Sequence, residues 1–421
     1  MVELERRDDA SRPAAGRRRN RPGASSAAAV AVRRHGRGWP AVALVGAAFA
    51  IAMLGTTLPT PLYPLYSEQF GFGELVTTVV FASYAIGVTA GLLLFGHWSD
   101  QLGRRRMLLA GLALSGLSAV AYLLPAELGW LFVGRVLSGL SAGIFTGTAT
   151  ATILDLAPPS GQARASLLAA AVNMGGLGLG PVLAGLLSQY APFPLRLCFV
   201  VDLVLVAVGI GCVLVVREPV SRAAAPRLRP RPLRVPVEIR AVFTRAAVAG
   251  FAGFAVLGLF SAVSPAFLGT VLRETNRALV GAVVLVLFAA SVTGQLLSAQ
   301  IGLDRALPAG CGALIAGVIL VAASLSAHSL AWLVVGAIIA GFGQGMSFRA
   351  GLGSVAEASP PDQRGEITST FFVMLYVGIA IPVIGEGALA GAFGLVTAGT
   401  VFAGLVAALA AVALVLVRRS S

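Results

Sequence analysis

The residues best placed to do chemistry in this chain are the few charges that stand inside long apolar runs, Arg135, Asp202 and Glu386. A charge at membrane depth costs a few kcal/mol even on permissive scales, so each one needs a reason to be there. Arg135 and Asp202 each stand about six residues from the same end of their runs, which puts them at similar depth if both runs are helical. A guanidinium and a carboxylate so placed can pair, and the pair can take up or release a proton as its surroundings change. The alternative carries Arg135 to the interface on its own aliphatic stem and leaves Asp202 in headgroup water. Glu386 reads either as a sign of water or a cation at a helix seam or as simple exposure at the interface. Arg349, close to the other end of its run, reads as a snorkelling side chain. Tyr84, Asn173, Gln295, Gln344 and Tyr376 add polar groups at membrane depth that can touch a bound small molecule.

Bond-breaking chemistry asks for more than this. It needs clustered acids, metal ligands, or a nucleophile beside its base. Cys198, Cys212 and Cys311 all lie in apolar runs, where cysteine is a small packing residue. The three histidines are far apart in sequence. No metal, no cofactor and no enzymatic activity are expected.

The elements that must position these groups follow from composition. Of 421 residues, 57% are hydrophobic and 12% charged, with a mean hydropathy of +0.87. Soluble proteins carry about 25% charged residues, so half of a water-facing surface is missing. Apolar runs fall at about 40–63, 74–95, 107–124, 129–154, 165–188, 196–216, 246–270, 278–300, 306–325, 330–355, 366–389 and 391–417. Each is near the length of about 20 residues that crosses a bilayer as a helix. They are too long and too continuous for the alternating strands of a membrane barrel. The expected fold is therefore all-α, with twelve transmembrane helices.

An even number of crossings puts both ends on one side, and the arginines choose it. The tail, Arg104 to Arg106, Arg164, the 217–245 stretch, Arg305, Arg364 and Arg418–Arg419 share one face. The other face has Arg196, Arg273 and Arg277, among Glu68, Glu74, Glu127 and Glu274. Both termini are thus expected in the cytoplasm, with the chain in a plasma membrane. The net charge of +13 follows this topology and not one amphipathic surface, so nucleic acid is not an expected partner. Every basic residue is arginine, and Ala, Gly and Pro abound, which points to a GC-rich, bacterial genome.

Residues 1–39 form a basic tail rich in Arg, Ala, Ser and Gly that cannot bury a core and is expected to be disordered. Residues 217–245 are rich in Arg and Pro and divide the chain into 40–216 and 246–421, as a cytoplasmic linker held near anionic headgroups. The two parts look duplicated. Pro158–Pro159 matches Pro360–Pro361, Arg164 matches Arg364 and Pro181 matches Pro382, at offsets of 200 to 202. By that repeat Glu386 stands where the first half has the packing residue Gly185. A parallel duplication predicts two pseudo-symmetric six-helix bundles with a small-molecule site between them.

Three motifs give this pattern a family. Between runs two and three lies Gly96-His97-Trp98-Ser99-Asp100-Gln101-Leu102-Gly103-Arg104-Arg105-Arg106. It resembles the G-x-x-x-D-R-x-G-R-R loop of the major facilitator superfamily, with Gln101 in place of an arginine. In run four, Arg135 and Gly139 resemble the family's R-x-x-x-G element, whose arginine faces the cavity and is implicated in proton coupling. In run five, Gly176, Gly180, Pro181 and Gly185 resemble G-x-x-x-G-P-x-x-G-G of the drug–proton antiporters, departing at Ala184. The resemblance implies alternating access, with Asp100 set against the start of span eleven near Glu366. It also implies that Arg104 pairs with Asp155, as part of a latch that holds the cytoplasmic face shut. It implies efflux of a drug-like or metabolite molecule against protons by a monomer.

One departure matters. Several antiporters of this branch carry an acid in span one, and here that run has none. Coupling then falls to Arg135, Asp202 and Glu386, and a cavity with few charges suits an apolar or weakly cationic substrate. Uptake of a nutrient such as a sugar or organic acid is the alternative, favoured by the missing acid and opposed by the span-five element.

Overall fold

The computed structural model describes residues 38–95, 98–124, 127–220, 233–361 and 363–419. Within them every regular element is helical, and twelve helices are long and apolar enough to cross a bilayer. Spans one to six are Trp39–Phe70, Glu74–Phe95, Arg104–Leu123, Gly129–Leu156, Pro159–Tyr190 and Leu197–Val215. Spans seven to twelve are Val237–Ala262, Arg277–Ile301, Leu303–Ala327, Leu330–Ala358, Arg364–Phe393 and Leu395–Arg418. Helices are the natural answer to hydrocarbon, because each satisfies its backbone hydrogen bonds within itself. The protein is an integral multi-pass membrane protein. The described chain begins and ends on one face, here called the terminal face; the other is the distal face.

Spans one and seven are each broken near the distal face. Span one runs as a helix from Trp39 to Thr57, turns through Thr60–Leu62, and resumes over Tyr63–Phe70. Pro59, Pro61 and Pro64 cannot donate to the ladder there. Glu68, expected in a loop, instead rides exposed on that second helix. Span seven ends its long helix at Ala262 and continues over Ser264–Thr270, with Pro265 at the restart. Its long helix begins at Arg240, inside the stretch read as linker. The Arg- and Pro-rich residues 221–232 and the tail 1–37 lie outside the described residues.

The duplication is visible in the backbone. Gly103 ends the loop between spans two and three at φ 102°, and Gly302 does the same between spans eight and nine at φ 86°. Both are left-handed conformations that side-chain-bearing residues avoid. Within the first half, spans two and four touch backbone to backbone, and a Cβ on Gly91 would stand 3.0 Å from the Leu140 carbonyl. Spans eight and ten meet in the same way through Gly294, Gly341 and Gly345. Across the halves, span two packs on span eleven and span five on span eight. Exchanging each helix for its repeat partner turns one contact into the other, as a twofold axis along the membrane normal requires. Spans six and twelve stand outside, with Val204, Val208, Val215 and Leu405 facing where lipid would lie.

Candidate functional site

Span five builds the seam between the halves. Gly176 and Gly180 press on span one, where a Cβ at Gly176 would lie 2.6 Å from the Ala50 carbonyl. Gly178 and Gly185 turn to span eight, where a Cβ at Gly178 would lie 3.0 Å from both Leu285 and Phe288. Pro181 has no N–H, so the carbonyl of Leu177 loses its helical partner. The Thr57 hydroxyl donates to that carbonyl at 2.8 Å, so span one supplies the missing bond. Near the distal face the seam is fastened. Arg277 Nη1 donates to the Ser188 carbonyl at 2.5 Å, its amide donates to Gln189 Oε1 at 3.0 Å, and Asn276 donates to the Tyr190 hydroxyl at 3.0 Å.

Between the halves lies a narrow cavity lined by spans one, two, four, five, seven, eight, ten and eleven. Its wall carries seven aromatic residues, with Met174, Leu177, Leu257 and Ile379 as its aliphatic part. Tyr84 meets Tyr376 edge-on across the seam at 6.1 Å between ring centres, and Phe254, Phe348 and Phe372 continue the chain at 5.4 to 6.0 Å. Phe81 and Phe288 complete the aromatic part. Thr56, Thr57, Thr146, Asn173 and Ser261 are its polar points, and Arg135 is its charged one.

Arg135 is 1% exposed, so it does not snorkel. Its Nη1 donates to the Thr56 carbonyl at 2.6 Å. Its guanidinium lies over Phe81 at 4.9 Å, Tyr84 at 5.3 Å and Tyr63 at 5.8 Å. Three ring faces replace part of the lost hydration, because the guanidinium is drawn to their negative quadrupoles. Asp202 is 2% exposed and so does not reach headgroup water. It makes no ion pair with Arg135 either, since among the described residues the ion pairs are those of Arg104. The carboxylate turns to span one instead, where a Cβ on Gly55 would stand 3.0 Å from Asp202 Oδ2 and 3.1 Å from Ser115 Oγ. Two residues at one depth thus point at different neighbours.

Glu386 is 2% exposed and borders a separate small apolar cavity inside the second half, walled by residues such as Phe260, Phe267, Leu325 and Leu333. Of the five polar residues singled out in the sequence, Tyr84, Asn173 and Tyr376 line the central cavity. Gln295 and Gln344 do not. They are buried between helices, where Ser291 bonds Gln344 Oε1 at 2.5 Å and lies 3.4 Å from Gln295 Nε2. The phenylalanines of the wall, Phe81, Phe254, Phe288, Phe348 and Phe372, carried no signal in the sequence. Their helices are apolar on every side, so no stripe marks the face that meets the cavity.

On the terminal face, Arg104 Nε lies 3.0 Å from Asp155 Oδ2, and its Nη1 lies 2.6 Å from Asp100 Oδ1 and 2.6 Å from Ser99 Oγ. The Asp100 side chain is 52% exposed, and no ion pair joins it to another described arginine. Gly96 lies outside the described residues. A residue that sequence reading overlooked completes this corner. Glu218, just after span six, accepts from the amides of Arg104 at 2.7 Å and Arg105 at 3.1 Å, capping the positive start of span three.

The family profile described as Major Facilitator Superfamily matches residues 45–381. The chain belongs to that superfamily. Among curated relatives, the puromycin resistance protein pur8 of Streptomyces alboniger is 28% identical over 184 residues, 43% of this chain and 36% of that protein. The putative multidrug resistance protein MdtD of Salmonella typhi is 27% identical over 148 residues, 35% of this chain and 32% of that one. The Multidrug resistance protein 2 of Bacillus subtilis is 24% identical over 140 residues, 33% and 35% of the two chains. These alignments span about a third of each relative's length. Among solved structures, a bacterial homologue of the human lysosomal transporter Spinster, inward-facing and unoccupied, superposes with a TM-score of 0.72. It is 16% identical, with 90% of this chain and 96% of that one covered. The human organic anion transporter MFSD10 superposes at 0.68, with 17% identity and 90% and 99% covered. At such identities the likeness is one of fold.

Proposed function

We propose that this superfamily member exports a neutral, mainly apolar and aromatic small molecule in exchange for protons, by alternating access in a plasma membrane. The observation that carries the reading is the central cavity, with its aromatic wall and a single charged group, Arg135. Among the described residues the lining offers no carboxylate to a cation, so the weakly cationic part of the sequence-based expectation is set aside. Rings of Tyr84, Tyr376 and Phe254 stack on flat apolar bodies, and Asn173, Thr56 and Arg135 offer donors to carbonyl groups. Efflux is supported by the glycine–proline element of span five and by three relatives named for drug resistance.

In this reading the terminal face is cytoplasmic, and bundles 40–216 and 246–421 rock about the seam of spans five and eight, joined by linker 217–245. Asp100, Gly103, Arg104, Arg105 and Asp155, with Gly96, belong to the latch on the cytoplasmic side. Arg135, Asp202 and Glu386 carry the coupling. A monomer suffices, because one chain supplies both walls of the cavity.

Everted vesicles from an efflux-deficient host test this. Acid-loaded vesicles should lose protons when a neutral aromatic compound from a screening panel is added, and should take that compound up. A panel that leaves the proton gradient untouched, while sugars or organic acids equilibrate through the protein, would establish the uptake reading instead.

A further inference from the structure

Just beneath the distal face, inside the first half, six polar side-chain atoms are buried with no hydrogen-bonding partner among the described residues. They are Thr60 Oγ1, the hydroxyls of Tyr63, Tyr66 and Tyr122, Arg135 Nε and Asp202 Oδ1. The Tyr122 hydroxyl and the Arg135 side chain face each other closely enough to interact, but not in the geometry of a full hydrogen bond. The six come from spans one, three, four and six, and those of Tyr63, Tyr66, Tyr122, Arg135 and Asp202 form one group. The rings of Tyr66 and Tyr122 are 6.4 Å apart, and Tyr122 stacks on Phe199 at 4.6 Å, about one helical turn from Asp202. The Tyr122 ring also lies on Gly134, next to Arg135, where a Cβ would meet it at 2.7 Å. Tyr63 stands 5.8 Å from the Arg135 guanidinium. Gly55 leaves room for the carboxylate of Asp202, and Ser115 borders the same space.

Each unmet polar atom in such a place costs about 1–3 kcal/mol. Six together are not tolerated in one half-bundle unless something bonds them. Phenols and a guanidinium donate, a carboxylate accepts, and water does both. A buried water makes about three hydrogen bonds, so two or three molecules serve the whole group. We infer that Tyr63, Tyr66, Tyr122, Arg135 and Asp202 enclose ordered water, and that this water joins Asp202, as proton acceptor, to Arg135 in the wall of the central cavity. The water site stands on the side-chain geometry alone; its part in coupling rests on the proton-exchange reading above.

The sign of the coupling follows from charge. With Asp202 ionised, the charge of Arg135 is balanced across water, and the cavity wall gives up its hydration readily to an apolar body. A proton arriving on that water and passing to the carboxylate leaves a neutral water behind and an unbalanced guanidinium. The guanidinium then holds water in the cavity and opposes a neutral apolar molecule. Proton and substrate thus exclude each other, which is what exchange requires; an anion would bind together with the proton instead. The titratable group beside Asp202 is Cys198 of its own helix. Tyr66 of span one adjoins Cys198, Tyr122 of span three adjoins Tyr66, and Tyr63 of span one and Arg135 of span four lie beyond Tyr122. Span five adds at that end Tyr190, which is exposed.

Two measurements on the full chain in lipid nanodiscs test this without any substrate. In X-ray hydroxyl-radical footprinting, Tyr66 and Tyr122 should be modified several-fold faster than the equally buried but apolar-packed Phe49 and Phe145. Rates no faster than those of the two phenylalanines overturn the water site. In pH-difference infrared spectra, a protonated-carboxyl band should titrate, persist in Glu386→Gln and vanish in Asp202→Asn. If it survives in Asp202→Asn, Asp202 is not the acceptor. Tyr122→Phe keeps the stack on Phe199 and removes one hydroxyl, so it should shift that band and slow Tyr66 labelling. An unmoved band and unchanged labelling in this variant also overturn the inference, and they do so even if Asp202→Asn does not fold. Should both signals appear while vesicles show no proton exchange, the water site holds and the export reading falls.

Discussion

Gly185→Ala tests whether the seam of spans five and eight is where the halves part. A Cβ at Gly185 would lie 3.0 Å from the Arg277 carbonyl carbon and 3.1 Å from Ala278 Cα, and nearer still to the Arg277 carbonyl oxygen. Backbone on both sides leaves no flexible side chain to yield, so the helices must separate by a fraction of an ångström. Overpacking of this kind costs about 1–3 kcal/mol. The contact joins the two halves near the distal face, so the strain falls on the state in which that face is shut and vanishes when it opens. A differential of about 1–3 kcal/mol shifts a two-state equilibrium by about 5- to 150-fold. Gly139 supplies the contrast. A Cβ there would meet Gly87 Cα and Val88 N at 2.9 Å, but spans two and four belong to one half and move together. Gly139→Ala should therefore lower thermal stability and leave the equilibrium alone. Spin labels at Phe193 and Thr275, in a background without the three native cysteines, report the distal opening by double electron–electron resonance. The Gly185 variant should enrich the long distance and the Gly139 variant should not. Identical distributions in both variants would refute the assignment of the moving seam.

Other outcomes follow from single contacts. Arg135→Lys keeps the charge but loses the planar stack over Phe81, Tyr84 and Tyr63; at about 1–2 kcal/mol, initial transport rates should fall roughly tenfold. Thr57→Val strands the Leu177 carbonyl that Pro181 leaves without a donor, and should cost about 1 kcal/mol in a thermal melt, with Thr57→Ser restoring it. Glu218→Ala uncaps span three at about 1 kcal/mol, and the Arg104 and Arg105 amides should then exchange hydrogen faster by mass spectrometry.

The number of crossings, their approximate limits and the duplication were legible because hydrocarbon demands long apolar runs and a repeated half repeats its prolines and arginines. The breaks in spans one and seven were written in Pro59, Pro61, Pro64 and Pro265, yet whether a proline ends a helix or bends it depends on what packs beside it. Depth along a span could be read, and Arg135 and Asp202 do share one. Rotation about the helix axis could not be read. A span that is apolar all round gives no sign of which side meets lipid, which meets a neighbour and which meets the cavity. That is why Gln295 and Gln344 could not be told from Asn173, and why Phe254 and Phe348 went unremarked. Glu218 escaped notice because a cap reaching across more than a hundred residues of sequence leaves no local spacing to find.

The ring-lined cavity has a consequence for how such a protein changes over generations. A pocket that selects through hydrogen bonds rejects a ligand lacking one group by orders of magnitude, whereas adding or removing a methylene against an apolar wall shifts selectivity by only about 1–3 kcal/mol. Single substitutions at Phe254, Phe348 or Phe372 should therefore reweight the range of molecules accepted and leave the machinery running. New tolerances can then accumulate one mutation at a time, each intermediate still a working pump.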